Sequence, residues 1–292
     1  MWVLIAIASS IVFGLSSVVM KSATIKFCLD EYILLGMYAA GAVFFFAVSG
    51  GKLHFNHNLD FMLFATLIAF GSFCGNWAVI KALELGPASL TAPMLNLNLP
   101  LIIFMSVFFY GETLGFIKIL IIIFLLLGVV MVKFDPNEAL VIKNKKWFVF
   151  VILGAICFFI REGGLKITQE RSINNIELLL MSYLICILFT IIIIFVFPML
   201  KKTQRPKEFC TSHHKFKSLY FGLVAGVCSG LGLTLYSSAL SVGPASIVAI
   251  IFSARSFVII FFAYFLHKER LSFFQICSFI SLSIGLMLSG FV

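Results

Sequence analysis

ALELGPAS, Ala82–Ser89, returns as ALSVGPAS, Ala239–Ser246, 157 residues further along the chain. A repeat has to be found before single elements are assigned, because missing it misassigns the whole fold. Held at an offset of 157 without gaps, residues 71–131 fall on 228–288, and about 20 of the 61 pairs are identical. Glu112 meets Glu269, Leu114 meets Leu271, Phe116 meets Phe273 and Gly128 meets Gly285. Upstream the offset becomes 145, placing Trp2 on Trp147, Phe13 on Phe158, Lys21 on Lys166 and Tyr38 on Tyr183. The difference of 12 residues fits an insertion in the polar stretch 200–217. In each octapeptide Gly-Pro separates two apolar runs. Glycine closes one helix in the left-handed conformation, and proline suits the first turn of the next, where no N–H is needed. Two tight helical hairpins follow.

The runs around these hairpins decide the solvent. Hydrophobic residues make up 62% of the 292, charged residues 11%, and the mean hydropathy is +1.13, whereas a soluble domain is about half apolar and a quarter charged. A helix crosses hydrocarbon with about 20 apolar residues. Such spans lie at 2–21, 31–50, 61–84, 88–109, 113–132, 147–168, 176–199, 218–241, 245–266 and 271–291. Trp2–Met20 follows no positively charged segment and is expected to be a retained helix. The expected fold is an all-α membrane protein of ten transmembrane helices arranged as two inverted five-helix repeats. The first is 1–133 and the second 147–292, with a connecting loop at 134–146. Inversion follows because an odd number of crossings returns the second half to the membrane from the other side. Inverted repeats suit alternating access around a site near the midplane.

Several functions are excluded at this stage. The net charge of +9 lies in loops between apolar runs, where it reads as a membrane-surface signal, not a nucleic-acid site. The cysteines at 28, 74, 157, 186, 210, 228 and 277 show no CxxC or CxxH spacing, so neither a metal site nor a disulfide framework is expected. No P-loop, HExxH, DxxD or Ser/His/Asp-like cluster is present. No cofactor is expected, and the chain reads as a non-enzyme whose partners are a small-molecule substrate and the lipid bilayer.

The two GPAS hairpins, the Glu in YGETL (110–114) and HKERL (267–271) and the 5+5 plan resemble the drug/metabolite transporter superfamily, in its EamA-like ten-helix branch. The resemblance covers nearly the whole chain. It implies a transporter and both termini in the cytoplasm, and it leaves the substrate open among amino acids, other metabolites and drugs.

The candidate site residues come from the spans themselves. Glu112 and Glu269 open the last helix of each half and read as N-terminal caps. The fourth helix carries Pro93 and Pro100 in APMLNLNLP, each removing an N–H and bending the helix beside Asn96 and Asn98. At the offset of 157, Asn98 falls on Arg255 and Asn96 on Ser253. A charge as central as Arg255 costs several kcal/mol and faces a cavity or a partner. The sixth helix adds Arg161 and Glu162 before Gly163-Gly164. Neighbours on a helix point about 100° apart, so these two need not pair. Asn76, Trp77 and Tyr236 are candidates to line a cavity.

These residues suit a secondary transporter of a small polar solute with a carboxylate or similar group, amino acids first. Arg255 and Arg161 would hold the anion, Asn96, Asn98 and Ser253 would orient it, and Glu162 would meet an amine or a coupling proton. A counter-substrate could replace the proton. The alternatives are an exporter of hydrophobic or cationic compounds, a lipid-carrier flippase subunit and a non-transporting scaffold. The expected location is the inner membrane of a bacterium. Of the 21 Lys and Arg, Lys52, Lys118, Lys166 and Arg171 follow even-numbered helices, and Lys81, Arg161 and Arg255 lie within spans. The remaining fourteen follow odd-numbered helices. The positive-inside rule therefore puts both termini outside, opposite to what the resemblance implies.

Overall fold

The structure, a computed structural model, describes residues 2–51, 59–111, 115–133, 142, 144–200, 212–243, 245–267 and 273–288. Among these residues the regular elements are all helical. The first repeat holds α1 (Trp2–Ile25), α2 (Asp30–Val48), α3 (Leu59–Leu85), α4 (Ala88–Met94), a 3-10 turn (Leu95–Leu97), α5 (Asn98–Tyr110) and α6 (Phe116–Lys133). The second holds α7 (Lys146–Glu170), α8 (Asn175–Leu200), α9 (Ser212–Leu240), α10 (Ala245–Ser253), α11 (Arg255–His267) and α12 (Phe273–Leu288). Eight segments are long and apolar enough to cross a bilayer: α1, α2, α3, α4 with α5, α7, α8, α9, and α10 with α11. The spans expected at 113–132 and 271–291 coincide with α6 and α12, whose described lengths are 18 and 16 residues. Glu112 and Glu269, the expected caps, lie outside the described residues.

Phe108, Phe109, Phe195 and Met287 stand exposed on the perimeter, while Ser72, Asn76, Arg161 and Glu162 are buried. Apolar groups outside and polar groups inside suit a hydrocarbon solvent, in which backbone polar groups must be satisfied within helices.

Matching elements begin at matching positions. α4 and α10 open at Ala88 and Ala245, α5 and α11 at Asn98 and Arg255, α6 and α12 at Phe116 and Phe273. The turns after α1 and α7 repeat bond for bond. Phe27 N–H donates to Thr24 O and Cys28 N–H to Ala23 O, as Ser172 N–H does to Gln169 O and Ile173 N–H to Thr168 O. Phe27 and Ser172 share a left-handed backbone, φ 53° and 56°. The helix-4 break falls at the 3-10 turn beside Pro93. Its counterpart at Ala254 has no proline: Ala254 N–H bonds Ile251 O and Phe257 N–H bonds Ala254 O, both tighter than α-helical.

Contacts between ends establish the inversion. At one end, the C-terminus of α1 meets the start of α7: Lys21 Nζ donates to Leu83 O and Gly86 O, and Gly86 abuts the Trp147 indole. At the other, Gly243 after α9 abuts Trp2, and Arg171 after α7 pairs with Asp60 of α3 at 3.3 Å. Equivalent helix ends thus lie on opposite faces. We call the first, which holds Lys26, Lys145 and Lys146, the basic end. Repeat mates that touch lie on the pseudo-two-fold axis. Tyr38 packs edge-on to Tyr183 at 5.2 Å, and Ser281 Oγ donates to the carbonyl of its mate Phe124 at 2.9 Å.

α2 and α9 approach through glycines, as membrane helices do when small residues let backbones touch. A Cβ at Gly36 would lie 2.5 Å from Leu219 O and 3.0 Å from the Gly222 Cα. Gly36→Val is expected to destabilise the protein by about 1–3 kcal/mol, the usual cost of overpacking. Thermal unfolding in detergent measures it, and an unchanged midpoint would refute the close packing.

Candidate functional site

Asn98 and Arg255 are the first residues of α5 and α11, ten residues beyond the starts of α4 and α10. Ten residues rise about 15 Å, half of a hydrocarbon core about 30 Å thick. Both side chains converge on Glu162 of α7. Arg255 Nη1 lies 3.2 Å from Glu162 Oε1, and Arg161 Nη2 lies 2.9 Å from the same oxygen. Asn98 Nδ2 donates to Oε2 at 2.6 Å. None of the four residues exceeds 5% exposure, so their partners are protein groups. Arg161 and Glu162 pair, which their helical angle left open: a guanidinium on a three-carbon stem reaches round the step that separates their Cα atoms. Two guanidiniums share one carboxylate, leaving one net positive charge at mid-depth, because arginine stays protonated in proteins.

Aromatic faces hold that charge. Arg161 lies over Phe158 at 4.4 Å and Phe13 at 5.2 Å. Arg255 lies over Phe252 at 4.5 Å, Phe13 at 5.3 Å and Phe158 at 5.5 Å. Ring faces attract cations, the more so when water is excluded. Phe13 and Phe158 are repeat mates, as are Asn98 and Arg255, so the cluster sits on the pseudo-two-fold axis.

The other expected residues divide. Asn96 Nδ2 donates to Ser256 Oγ at 3.3 Å, and Ser256 Oγ donates to Ser253 O at 2.9 Å, so Ser253 enters through its carbonyl. Asn76 donates to Tyr38 Oη at 3.1 Å, which donates to Ser72 O at 3.0 Å. With Phe13, Ser17, Met20 and Arg255, Asn76 lines a cavity of about 20 Å³, the size of one water site. Tyr236 stacks on Phe252 at 4.5 Å and belongs to the wall around Arg255. Trp77 is not brought to the cluster. It packs edge-on to Phe150 at 5.8 Å, and Phe150 precedes Glu162 by 12 residues, about 18 Å along α7. Phe13, Phe158, Phe252 and Ser256 were not anticipated; the alignment of Phe13 with Phe158 was the one signal that marked two of them.

One crystal structure superposes on the chain with a TM-score of 0.68 at 12% identity, covering 99% of this chain and 96% of the other, which establishes the fold alone. No curated protein matches the chain. The profile of the EamA-like transporter family matches twice, over residues 1–134 and 145–291. Two matched repeats, membrane-crossing helices and a charged cluster at their centre lead to one conclusion: the chain is an integral, multi-pass membrane protein that belongs to the EamA-like transporter family of the drug/metabolite transporter superfamily.

Proposed function

We propose that the protein is a secondary transporter of a small polar solute bearing a carboxylate or similar anionic group, an amino acid being the first candidate. Ten crossings in two five-helix repeats, 1–133 and 147–292 about the 134–146 loop, expose one central site alternately to the two faces. The setting we propose is the inner membrane of a bacterium.

The observation that carries this reading is the sharing of Glu162 by Arg161 and Arg255. An unbalanced charge in the middle of a bilayer costs about 2.5–3.5 kcal/mol even on the mild insertion scale. A bound anion offsets that cost, and a cation adds to it. Arg255 and Arg161 hold the anionic group; Asn98, Asn96 and the Ser253 turn orient it. Glu162, first considered as an acceptor for an amine or a proton, has Oε1 and Oε2 engaged by protein donors. In this conformation it holds the guanidiniums in place. An ion gradient or a counter-solute drives uphill movement. The aromatic wall of Phe13, Phe158, Phe252 and Tyr236 favours the second reading, export of hydrophobic compounds, while the net positive charge disfavours cationic ones.

The test is uptake into liposomes of labelled amino acids, organic acids, nucleosides and cationic dyes, with and without a pH gradient. Carboxylate-bearing solutes are expected to be carried. Transport confined to cationic dyes would overturn the anion site.

A further inference from the structure

Lys81, near the C-terminus of α3, forms an ion pair with Asp30, the first residue of α2, and another with Glu84 at 2.9 Å. At the same basic end Lys21 ties α1 to the Leu83 and Gly86 carbonyls at 3.0 and 3.1 Å. There the Trp147 indole N–H also bonds Thr91 Oγ1 at 3.0 Å. Five helices are drawn together. Between this closure and the charge cluster lies a cavity of about 20 Å³ lined by Ser17, Met20, Asn76 and Arg255.

The repeat makes the opposite face a built-in comparison. At the offset of 145, Asp30 falls on Asn175; at 157, Lys81 falls on Ser238 and Glu84 on Ser241. All three members of this triad have uncharged mates at the far end. There Asn175, Ser238 and Ser241 line an open polar pocket of about 400 Å³ together with Gln169, Ser172 and Ser237. Ser237 adjoins Tyr236, which stacks on the Phe252 ring beneath Arg255. Lys166, the mate of Lys21, holds Glu170 of its own helix at 2.5 Å. The symmetric framework is closed where the charged triad stands and open where its mates are neutral.

We propose that Asp30, Lys81 and Glu84 form a one-sided electrostatic latch that keeps the substrate path shut at the basic end, so that the resting protein opens to the far face through the Asn175–Ser238–Ser241 pocket. The latch rests on the alternating exposure proposed above. The far end has no counterpart of this triad, and its own inter-helix pair, Arg171 with Asp60 at 3.3 Å, is exposed to solvent, whereas opening the basic end parts Asp30 of α2 from the Lys81–Glu84 pair of α3.

The test is maleimide labelling of the full chain in liposomes, with native cysteines replaced and one cysteine introduced at Ser17 or at Ser238. With the latch intact, the cysteine at Ser238 reacts at least tenfold faster than the one at Ser17. Asp30→Asn with Lys81→Ser and Glu84→Ser, which copies the far end, lowers that ratio to near one or reverses it. Lys81→Asp alone has the same effect, and adding Asp30→Lys restores one base between two acids and the original ratio, which decides the matter if the triple variant does not fold. Addition of an equimolar mixture of the twenty amino acids separates the two ideas. A ratio that responds to the mixture but not to folded latch variants overturns the latch alone. A ratio that nothing moves overturns the alternating exposure, and the latch with it.

Discussion

Arg255→Ala lowers uptake of the carried solute by about two orders of magnitude at limiting concentration. Truncating one member of a buried, hydrogen-bonded charge pair costs about 2–5 kcal/mol, and each 1.4 kcal/mol is tenfold. The variant keeps its fold, because Glu162 retains Arg161 at 2.9 Å and Asn98 at 2.6 Å. What it loses is the unbalanced charge: Arg161 and Glu162 alone are neutral. The loss therefore falls chiefly on KM. Arg255→Lys restores the charge but not the planar fork, and ammonium is more strongly hydrated than guanidinium; an intermediate loss of about tenfold follows. Initial rates of liposome uptake against concentration measure both. Uptake unchanged in both variants would remove Arg255 from the site.

Glu162→Gln acts on the fold instead. It leaves the Arg161 and Arg255 guanidiniums buried around a neutral amide, and breaking a buried ion pair from one side costs about 3–5 kcal/mol. The melting temperature in detergent is expected to fall steeply. Arg161→Met added to Glu162→Gln returns the cluster to one positive charge, held over Phe13, Phe158 and Phe252, and regains much of the lost stability. The double variant should therefore be more stable than Glu162→Gln alone, a non-additivity expected of residues in one network. Equal stability of the two would mean that the cations do not sense each other.

Local pattern and repetition carried most of the fold. The offsets of 145 and 157 placed the starts of α8, α10, α11 and α12 opposite those of α2, α4, α5 and α6, and Pro93 marked the break in the fourth helix. The break at Ala254 left no mark, because no proline stands there to signal it. The site was legible only as far as depth and symmetry reach. Asn98 and Arg255 were paired by offset, yet their common partner Glu162 lies on a helix outside that pairing. The Arg161–Glu162 contact was left open by the sequence, since helical angle describes Cα–Cβ directions and not the reach of a long side chain. Trp77 sits one residue from Asn76, and a step of about 100° is enough to turn it onto Phe150. The caps at Glu112 and Glu269 rest on sequence alone.

The axis that relates the Phe13 and Phe158 rings bears on arithmetic as well as geometry. Whatever identical halves contribute about a two-fold axis they contribute twice, so a symmetric pair of five-helix chains could place only an even net charge there. In this chain Arg161 and Glu162 fall opposite Ser16 and Ser17, and Arg255 opposite Asn98, which leaves a charge of one. Fusing the halves and letting them diverge gives the site access to odd valence, and an odd site is the one that a monovalent ion can bring to neutrality.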